Sequence, residues 1–529
     1  MKYILLSILS GVLFSISWPT YGFPFFIFLA FVPLLYISHN IDNQKNKYLK
    51  IFGLSYLSFF IWNVATTGWL YNAQNPDGSP ALLAAVIPVL ANSFLMTTAF
   101  LQYFWFKRKQ NIILSLVFFI AIWMSFEKLH LSWEFTWPWL NLGNVFANYP
   151  KIIQWYDTIG ATGGSFWILL INSLIFYVLF VAKKENIKKV GAIALGVIFI
   201  PMLISLYKYY YFDEKPLGKV KVMMLQPNLD PYKEKYKKDS LQIVQELLDL
   251  TKENEQKIDY YLAPETAFPG RGGISERGLK DSESIAMVKQ ILDKNSIFVG
   301  GLSIYKTFYN EDEKTETAQY LSDYDIWWDS YNSAIQILSN QEFNIYHKSK
   351  LVPGVEIFPY MNILKPVLGD AMLDFGGTVA SLGIDKERKV FTNKYHQGSL
   401  APIICYESIY GEYCTEYVRK GANFLAIMTN DSWWGVSQGH QQLLAYARLR
   451  AIETRREIAR SANSGISAHI DAKGEILAQT NYGEKDILVS DIQLYNKKTI
   501  YTQIGDIFSK ISLVILGILL IFRLFKRKK

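Results

Sequence analysis

APIICYES, Ala401 to Ser408, is a short apolar run that stops at a cysteine, followed at once by Tyr406 and Glu407. An apolar run bounded by polar or turn residues reads as a buried strand. The same shape recurs on both sides of it: VKVMMLQPN, IDYYLAPET, SIFVGGLSIY, YNSAIQIL and ANFLAIMTND. Between several of these runs lie helical patterns, such as SLQIVQELLDLTKENEQ (Ser240–Gln256) and HQQLLAYARLRAIETRREIA (His440–Ala459). Strands alternating with helices predict an α/β domain, here over residues 217–497, long enough to bury a full core.

In α/β sheets, ligands bind at the carboxyl ends of the strands. Three polar residues stand at such ends: Glu265 closes IDYYLAPET, Lys348 follows FNIYH, and Cys405 closes LAPIIC. They form a plausible nucleophile set. A free thiol has a pKa near ~8.5 and attacks poorly while protonated. A carboxylate can take its proton, and an ammonium can hold the oxyanion of a tetrahedral intermediate. Read singly, each has a plainer role: Cys405 as a small core hydrophobe, Glu265 as a cap, Lys348 as surface. A local Cys405–Cys414 disulfide is a further alternative. These two cysteines are the only ones in 529 residues, so there is no disulfide framework and too few ligands for a metal site of this kind.

The flanks of this domain are different. The chain is 50% hydrophobic and 19% charged, yet its mean hydropathy is only +0.11. That combination predicts a lipid-embedded part joined to a water-soluble one. Apolar runs predict spans over Tyr3–Trp18, Phe23–Ile37, Ile51–Leu70, Ala81–Phe106, Ile112–Phe126, Phe166–Ala182 and Val190–Leu206, and an eighth over Ile507–Phe522. No A-x-A cleavage site follows the first, which reads as an uncleaved anchor. The organisation expected is a helical membrane domain over 1–210, the α/β domain, and a C-terminal span with a basic tail over 505–529.

Net charge is +8, and the basic residues cluster beside the apolar runs rather than forming a nucleic-acid patch. Lys45, Lys47 and Lys50; Lys107, Arg108 and Lys109; Lys183, Lys184, Lys188 and Lys189; and the tail from Arg523 to Lys529 fall in alternate connections. Positive-inside reasoning puts these connections and both termini in the cytoplasm, and the α/β domain on the opposite side.

The segments APETAFPG, YHKSKLVPGVEIFPY, APIICYESIYGEY and TNDSWWGVSQGHQQLLAYARLR, in that order, resemble the nitrilase superfamily. The spans, with WPWLNLGN (Trp137–Asn144) and IGATGGSFWILLIN (Ile159–Asn172), narrow the resemblance to the apolipoprotein N-acyltransferase family. That resemblance implies a four-layer αββα sandwich inserted between membrane helices, in the bacterial cytoplasmic membrane, with its catalytic face periplasmic. It implies Glu265 as general base, Lys348 as oxyanion-stabilising cation and Cys405 as acyl-accepting nucleophile. It implies supporting roles for Glu356, Asn332, Tyr406, Glu407 and Trp434. No cofactor is implied. The implied partners are a phospholipid acyl donor, diacylglyceryl-modified apolipoproteins and the membrane, for a chain acting as a monomer. Two departures stand out. The family's L-V-P-F-G-E is Leu351-Val352-Pro353-Gly354-Val355-Glu356 here, and the stretch after Gln226–Asn228 carries Tyr232 and Tyr236 in place of a tryptophan.

The activity implied is N-acylation of the α-amine of a lipoprotein's N-terminal cysteine through a cysteine thioester. A membrane-tethered amidohydrolase would use the same three residues and give the acyl group to water. A non-catalytic membrane scaffold would need none of them. A transporter lacks support, since the spans hold few midplane charges and no inverted repeat.

Overall fold

The structure is a computed structural model that describes all residues except 75–78, 233, 235–237, 253, 270–272, 341, 364–380, 396–397 and 527–529. Tyr236 and the last three basic residues of the tail therefore lie outside the described residues. The chain divides into two compact units.

The first unit comprises Met1–Tyr71, Leu82–Phe212 and Ile504–Lys529. Among the described residues, 6 helices are long and apolar enough to cross a membrane: Lys47–Asn72, Leu82–Lys107, Ile112–His130, Tyr156–Phe180, Lys184–Tyr210 and Ile507–Phe525. Lys2–Ser17 and Pro24–Asn40 are shorter apolar helices. The second of these is not one rod. Pro24 opens a 3-10 turn, and Pro33 sits at the start of Val32–Asn40, where its missing N–H leaves no helix bond unmade. Helix contacts are close where residues are small: a Cβ on Gly11 would lie 2.7 Å from the Ser58 carbonyl oxygen. Aromatic rings fill the space between, with Phe14 stacked on Trp62 at 4.5 Å. Buried hydroxyls bond back into their own helices, as Ser55 Oγ does to the Ile51 carbonyl at 2.7 Å.

The second unit comprises Asn72–Ala81 and Asp213–Gln503. Its strands are β1 (Gly218–Gln226), β2 (Tyr260–Leu262), β3 (Ile274–Ser275), β4 (Ile297–Phe308), β5 (Gln319–Leu321), β6 (Ile326–Leu338), β7 (Phe343–His347), β8 (Leu400–Ile404), β9 (Phe424–Thr429), β10 (Ile458–Ala462), β11 (Ala468–Ile470), β12 (Ile476–Gln479) and β13 (Asp486–Leu494). One sheet runs β13-β1-β2-β4-β6-β5, with β3 on β4 and β7 on β6; the other runs β12-β11-β10-β9-β8. β1, β2 and β4 are mutually parallel, as are β8, β9 and β10, while β13 on β1, β6 on β4 and β11 on β10 are antiparallel.

The sheets face each other across a mixed layer, where Tyr260 of β2 packs edge-on against Phe424 of β9 at 5.6 Å. The outer face of the first sheet meets helices Ser240–Thr251 and Glu283–Gln290 through Val244, Leu247, Ile285 and Val288, packed with Met223, Leu225, Phe298 and Ile335. Helices Gly411–Arg419 and Gln438–Thr454 belong to the second sheet's side. This is the αββα sandwich that the family resemblance implies.

Two expected helices run shorter. Ser240–Gln256 ends at Thr251. His440–Ala459 ends at Thr454, where Arg455 turns left-handed with φ of 52°. The remainder, from Ile458, becomes β10, because the apolar Ile458 and Ala459 pair with Leu425 and Ala426 in the sheet.

Candidate functional site

Glu265, Lys348 and Cys405 each lie just beyond a strand: Glu265 after β2, Lys348 after β7, and Cys405 directly after β8. Lys348 is the hub. Its Nζ lies 3.0 Å from Glu265 Oε1 and 2.9 Å from Glu356 Oε1. Asn332 of β6 donates through Nδ2 to the same two oxygens, at 2.8 Å each. Its carbonyl accepts the Lys348 N–H at 2.8 Å. Glu356 Oε2 is fixed by the Val352 N–H at 2.8 Å. One ammonium thus sits between two carboxylates that share an amide. Lys348 is only 1% exposed. Burial opposes its charge, but Glu265 and Glu356 outweigh that and hold the ammonium well above its ordinary range.

The chain reaches this geometry by a close backbone approach. Gly301 of β4 lies under the turn that carries Glu265, and a Cβ there would stand 2.4 Å from the Thr266 nitrogen. The glycine pair in SIFVGGLSIY therefore makes room for the carboxylate's turn. Thr266 itself is left-handed, with φ of 52°.

Cys405 is also left-handed, with φ of 48°, at the first residue of a 3-10 turn over Cys405–Ile409. A non-glycine residue there is strained, and such strain concentrates at working sites. The sharp turn ends β8 and aims the side chain off the sheet's edge. Burial pushes the thiol above its ordinary range, the Glu265 carboxylate adds to that, and Lys348 pulls it back. The balance favours the protonated thiol at Cys405. Cys414 is a second free, buried thiol, whose Sγ faces the Glu407 carbonyl at 3.7 Å.

Glu407 is fully buried. Its carboxylate accepts from Tyr346 Oη at 2.6 Å, Tyr413 Oη at 2.5 Å, the Ser349 N–H at 2.8 Å and the Ile404 N–H at 2.9 Å. Burial raises its pKa, and these donors act the other way. Tyr406 is buried and packs edge-on against Tyr410 at 5.3 Å. Trp434 closes the 3-10 turn Asp431–Trp434, half-buried, and its carbonyl accepts the Asn72 Nδ2 at 3.2 Å. Beside it, the Tyr232 ring meets Trp433 at 5.2 Å, and its hydroxyl donates to the Trp433 carbonyl at 3.1 Å.

The structure joins Glu265, Lys348, Glu356 and Asn332 in one hydrogen-bonded cluster, places Cys405 within electrostatic reach of Glu265 and Lys348, and ties Glu407 to the Ser349 and Ile404 backbone beside them. Tyr406 and Trp434 stand beside the strand ends, at the turns Cys405–Ile409 and Asp431–Trp434. Sequence reading passed over Tyr346, Tyr413, Thr429 and Asp431. Only their adjacency to YHK, CYE and ND signalled them. Among the described residues, no group of three or more His, Cys, Asp or Glu side chains is arranged to hold a metal ion.

The carbon-nitrogen hydrolase family matches residues 221–499, and the apolipoprotein N-acyltransferase N-terminal domain matches residues 10–174. The chain is similar to the apolipoprotein N-acyltransferase of Chlorobaculum tepidum, 28% identical across 97% of this chain and 95% of that protein. It is similar to that of Haemophilus influenzae, 27% identical across 95% of this chain and 91% of that protein. Among solved structures, Saccharomyces cerevisiae Nit3, of branch 10 of the nitrilase superfamily, aligns at 16% identity with a TM-score of 0.37, over 53% of this chain and 91% of that one. The chain belongs to the carbon-nitrogen hydrolase family, and it joins that family's domain to the N-terminal domain of the apolipoprotein N-acyltransferases.

Proposed function

We propose that this chain is an acyltransferase that N-acylates the N-terminal diacylglyceryl-cysteine of lipoproteins, with a phospholipid as acyl donor and Cys405 as acyl carrier. The observation that supports it best is the buried Lys348 ammonium between Glu265 and Glu356, beside a thiol that needs a base.

In the first half-reaction Glu265 takes the Cys405 proton. The sulphur attacks the ester carbonyl, and Lys348 with a backbone N–H holds the oxyanion. The C–O bond breaks, Glu265 returns the proton to the leaving glycerol oxygen, and a lysophospholipid departs. In the second, the free α-amine attacks the thioester and gives a proton to Glu265. The C–S bond breaks and the thiol is restored. Glu356 and Asn332 orient Lys348 and Glu265, Glu407 supports the cysteine turn, and Tyr406 and Trp434 contact substrate. Kinetics are ping-pong, and water is excluded while the thioester lasts.

A membrane substrate accounts for the apolar helices. Exposing an acyl chain to water costs about 0.8 kcal/mol per CH₂, which a membrane-bound enzyme avoids. The alternation of basic connections supports a bacterial cytoplasmic membrane location with the catalytic unit periplasmic, acting as a monomer. Intact-mass spectrometry of the protein with phospholipid, beside Cys405→Ala, tests the reading. A hydroxylamine-sensitive gain of one acyl group, absent in the variant and discharged by a diacylglyceryl peptide, is expected. Discharge to water alone would indicate an amidohydrolase, and no adduct with any lipid would overturn the mechanism.

A further inference from the structure

His347, the residue before Lys348, has no role in the mechanism above, yet it is buried and held by several partners. It ends β7 opposite Ser333 of β6. Its Nδ1 lies 2.7 Å from Ser333 Oγ, and Ser333 is fully buried. Its Nε2 lies 3.6 Å from Glu276 Oε2, and Lys306 Nζ stands 2.9 Å from the same oxygen. Its ring lies over Tyr331 at 4.3 Å. Its backbone N–H donates to Asp385 Oδ2 at 2.9 Å.

These contacts assign the ring's hydrogen. The Glu276 carboxylate makes Nε2 the protonated nitrogen, so Nδ1 accepts the Ser333 hydroxyl. Residues opposite each other in an antiparallel pair share one face of the sheet, and successive side chains alternate. Ser333 and His347 therefore meet on one face. Asn332, next to Ser333, projects to the other, where its amide and the Lys348 ammonium meet Glu265 and Glu356. The Lys348 N–H bonds the Asn332 carbonyl at 2.8 Å. Lys348 rides on the end of β7 and Asn332 on β6. A tilt of one strand against the other would carry the ammonium off the two carboxylates.

We propose that His347 is a positioning residue for Lys348: locked to Ser333 and faced by Glu276, it holds the end of β7 against β6 at the offset that keeps the ammonium between Glu265 and Glu356. The inference rests on Lys348 as the working cation of the proposed site.

Its test uses the full chain in detergent. His347→Phe keeps a ring over Tyr331 and loses both polar contacts. Ser333→Ala removes the same bond from the β6 side. His347→Asn puts an amide oxygen where Nδ1 stood, so it still accepts the Ser333 hydroxyl. Single-turnover acylation by phospholipid, read by intact mass, should fall on the order of 10-fold to 100-fold in His347→Phe and in Ser333→Ala, at an unchanged half-saturating lipid concentration. The double variant should fall no further than either alone, and His347→Asn should regain most of the rate. A second readout does not need the transfer reaction. Alkylation of Cys405 by iodoacetamide at one mildly alkaline pH, read by peptide mass, should slow about threefold or more in the same two variants, because a displaced ammonium favours the thiolate less.

A histidine that only stabilises the fold would lower melting and leave both rates unchanged, and the proposal would fail. It fails equally if His347→Asn is as slow as His347→Phe, or if the two losses multiply in the double variant. Ser333→Ala decides alone if His347→Phe does not fold. Thioester formation at equal rates in all variants sinks only the inference. Slowed alkylation in the two variants, with no thioester in any protein, sinks only the transfer reaction.

Discussion

Lys348 and Cys405 are each tied, one residue away, to the same carboxylate: Glu407 accepts the Ser349 N–H at 2.8 Å through Oε1 and the Ile404 N–H at 2.9 Å through Oε2. The spacing of cation and thiol is thus set by one side chain, which Tyr346 and Tyr413 hold from behind. Those hydroxyls also approach each other closely. Burial and the neighbouring Glu407 charge keep Tyr346 protonated far beyond the ordinary phenol range, so it remains a donor at any physiological pH.

Glu407→Gln keeps the shape but loses charge and one acceptor position. A displacement of about 1 Å at a reacting centre costs on the order of 10²-fold in rate. Single-turnover thioester formation should therefore fall about 100-fold or more, with a stability loss of about 1–3 kcal/mol from a buried donor left unpaired. Rapid-quench mass spectrometry and thermal melting measure the two. A rate within threefold of the unsubstituted protein would show that the shared carboxylate does not set the spacing.

Gly301→Ala tests the close approach beneath Glu265. A Cβ 2.4 Å from the Thr266 nitrogen forces the turn outward, an overpacking cost of about 1–3 kcal/mol. Acylation should drop with stability, because the displaced backbone carries the base itself. Gly218→Ala, where no atom lies within 4 Å of the added Cβ, serves as the silent control. Equal behaviour of the two variants in acylation and melting would remove the argument.

The strands and the three strand-end residues could be read from the chain because each rests on local pattern, whereas the four-layer sandwich comes only with the family resemblance. An apolar run that stops at Glu265, Lys348 or Cys405 is visible without any long-range contact. What escaped reading depends on register between distant segments. The Thr429–Cys405 adjacency follows from β8 lying parallel to β9. Likewise, Tyr346 and Tyr413 meet only because Glu407 draws both to one point. The segment expected as a span over Phe23–Ile37 is built from a 3-10 turn and two short helices, with Pro33 in the first turn of the second. The helix read through to Ala459 shows the reverse, since the polar residues around Arg455 and Arg456 fit either state. Strand pairing with β9 settles the apolar residues that follow.

Lys348→Met removes the cation from between two carboxylates. Glu265 and Glu356 then face each other through Asn332 without a counter-charge. Thioester formation should fall at least about 10³-fold, since both oxyanion stabilisation and the orientation of the base are lost. Single-turnover mass spectrometry measures this, and a rate within tenfold of the unsubstituted protein would show that the ammonium does not hold the oxyanion.

Glu276 supplies the acid-side prediction. Its carboxyl is held down to about 2, first by the His347 ring at 3.6 Å, and then by Lys306 Nζ at 2.9 Å. A depressed carboxylate stabilises the fold above its unfolded pKa, and that stability is lost as pH falls toward the folded value. The window therefore runs from about pH 4.5 down to about 2. The side chain is 34% exposed, so solvent screening reduces the contribution to about 1 kcal/mol. His347 also bonds Ser333 at 2.7 Å, immediately beside Asn332, so loosening this corner reaches the lysine's own support. Thermal melting of the purified protein from pH 5 to pH 3 should show a falling midpoint that Glu276→Gln flattens. Parallel slopes for the two proteins would show that other carboxylates govern acid unfolding.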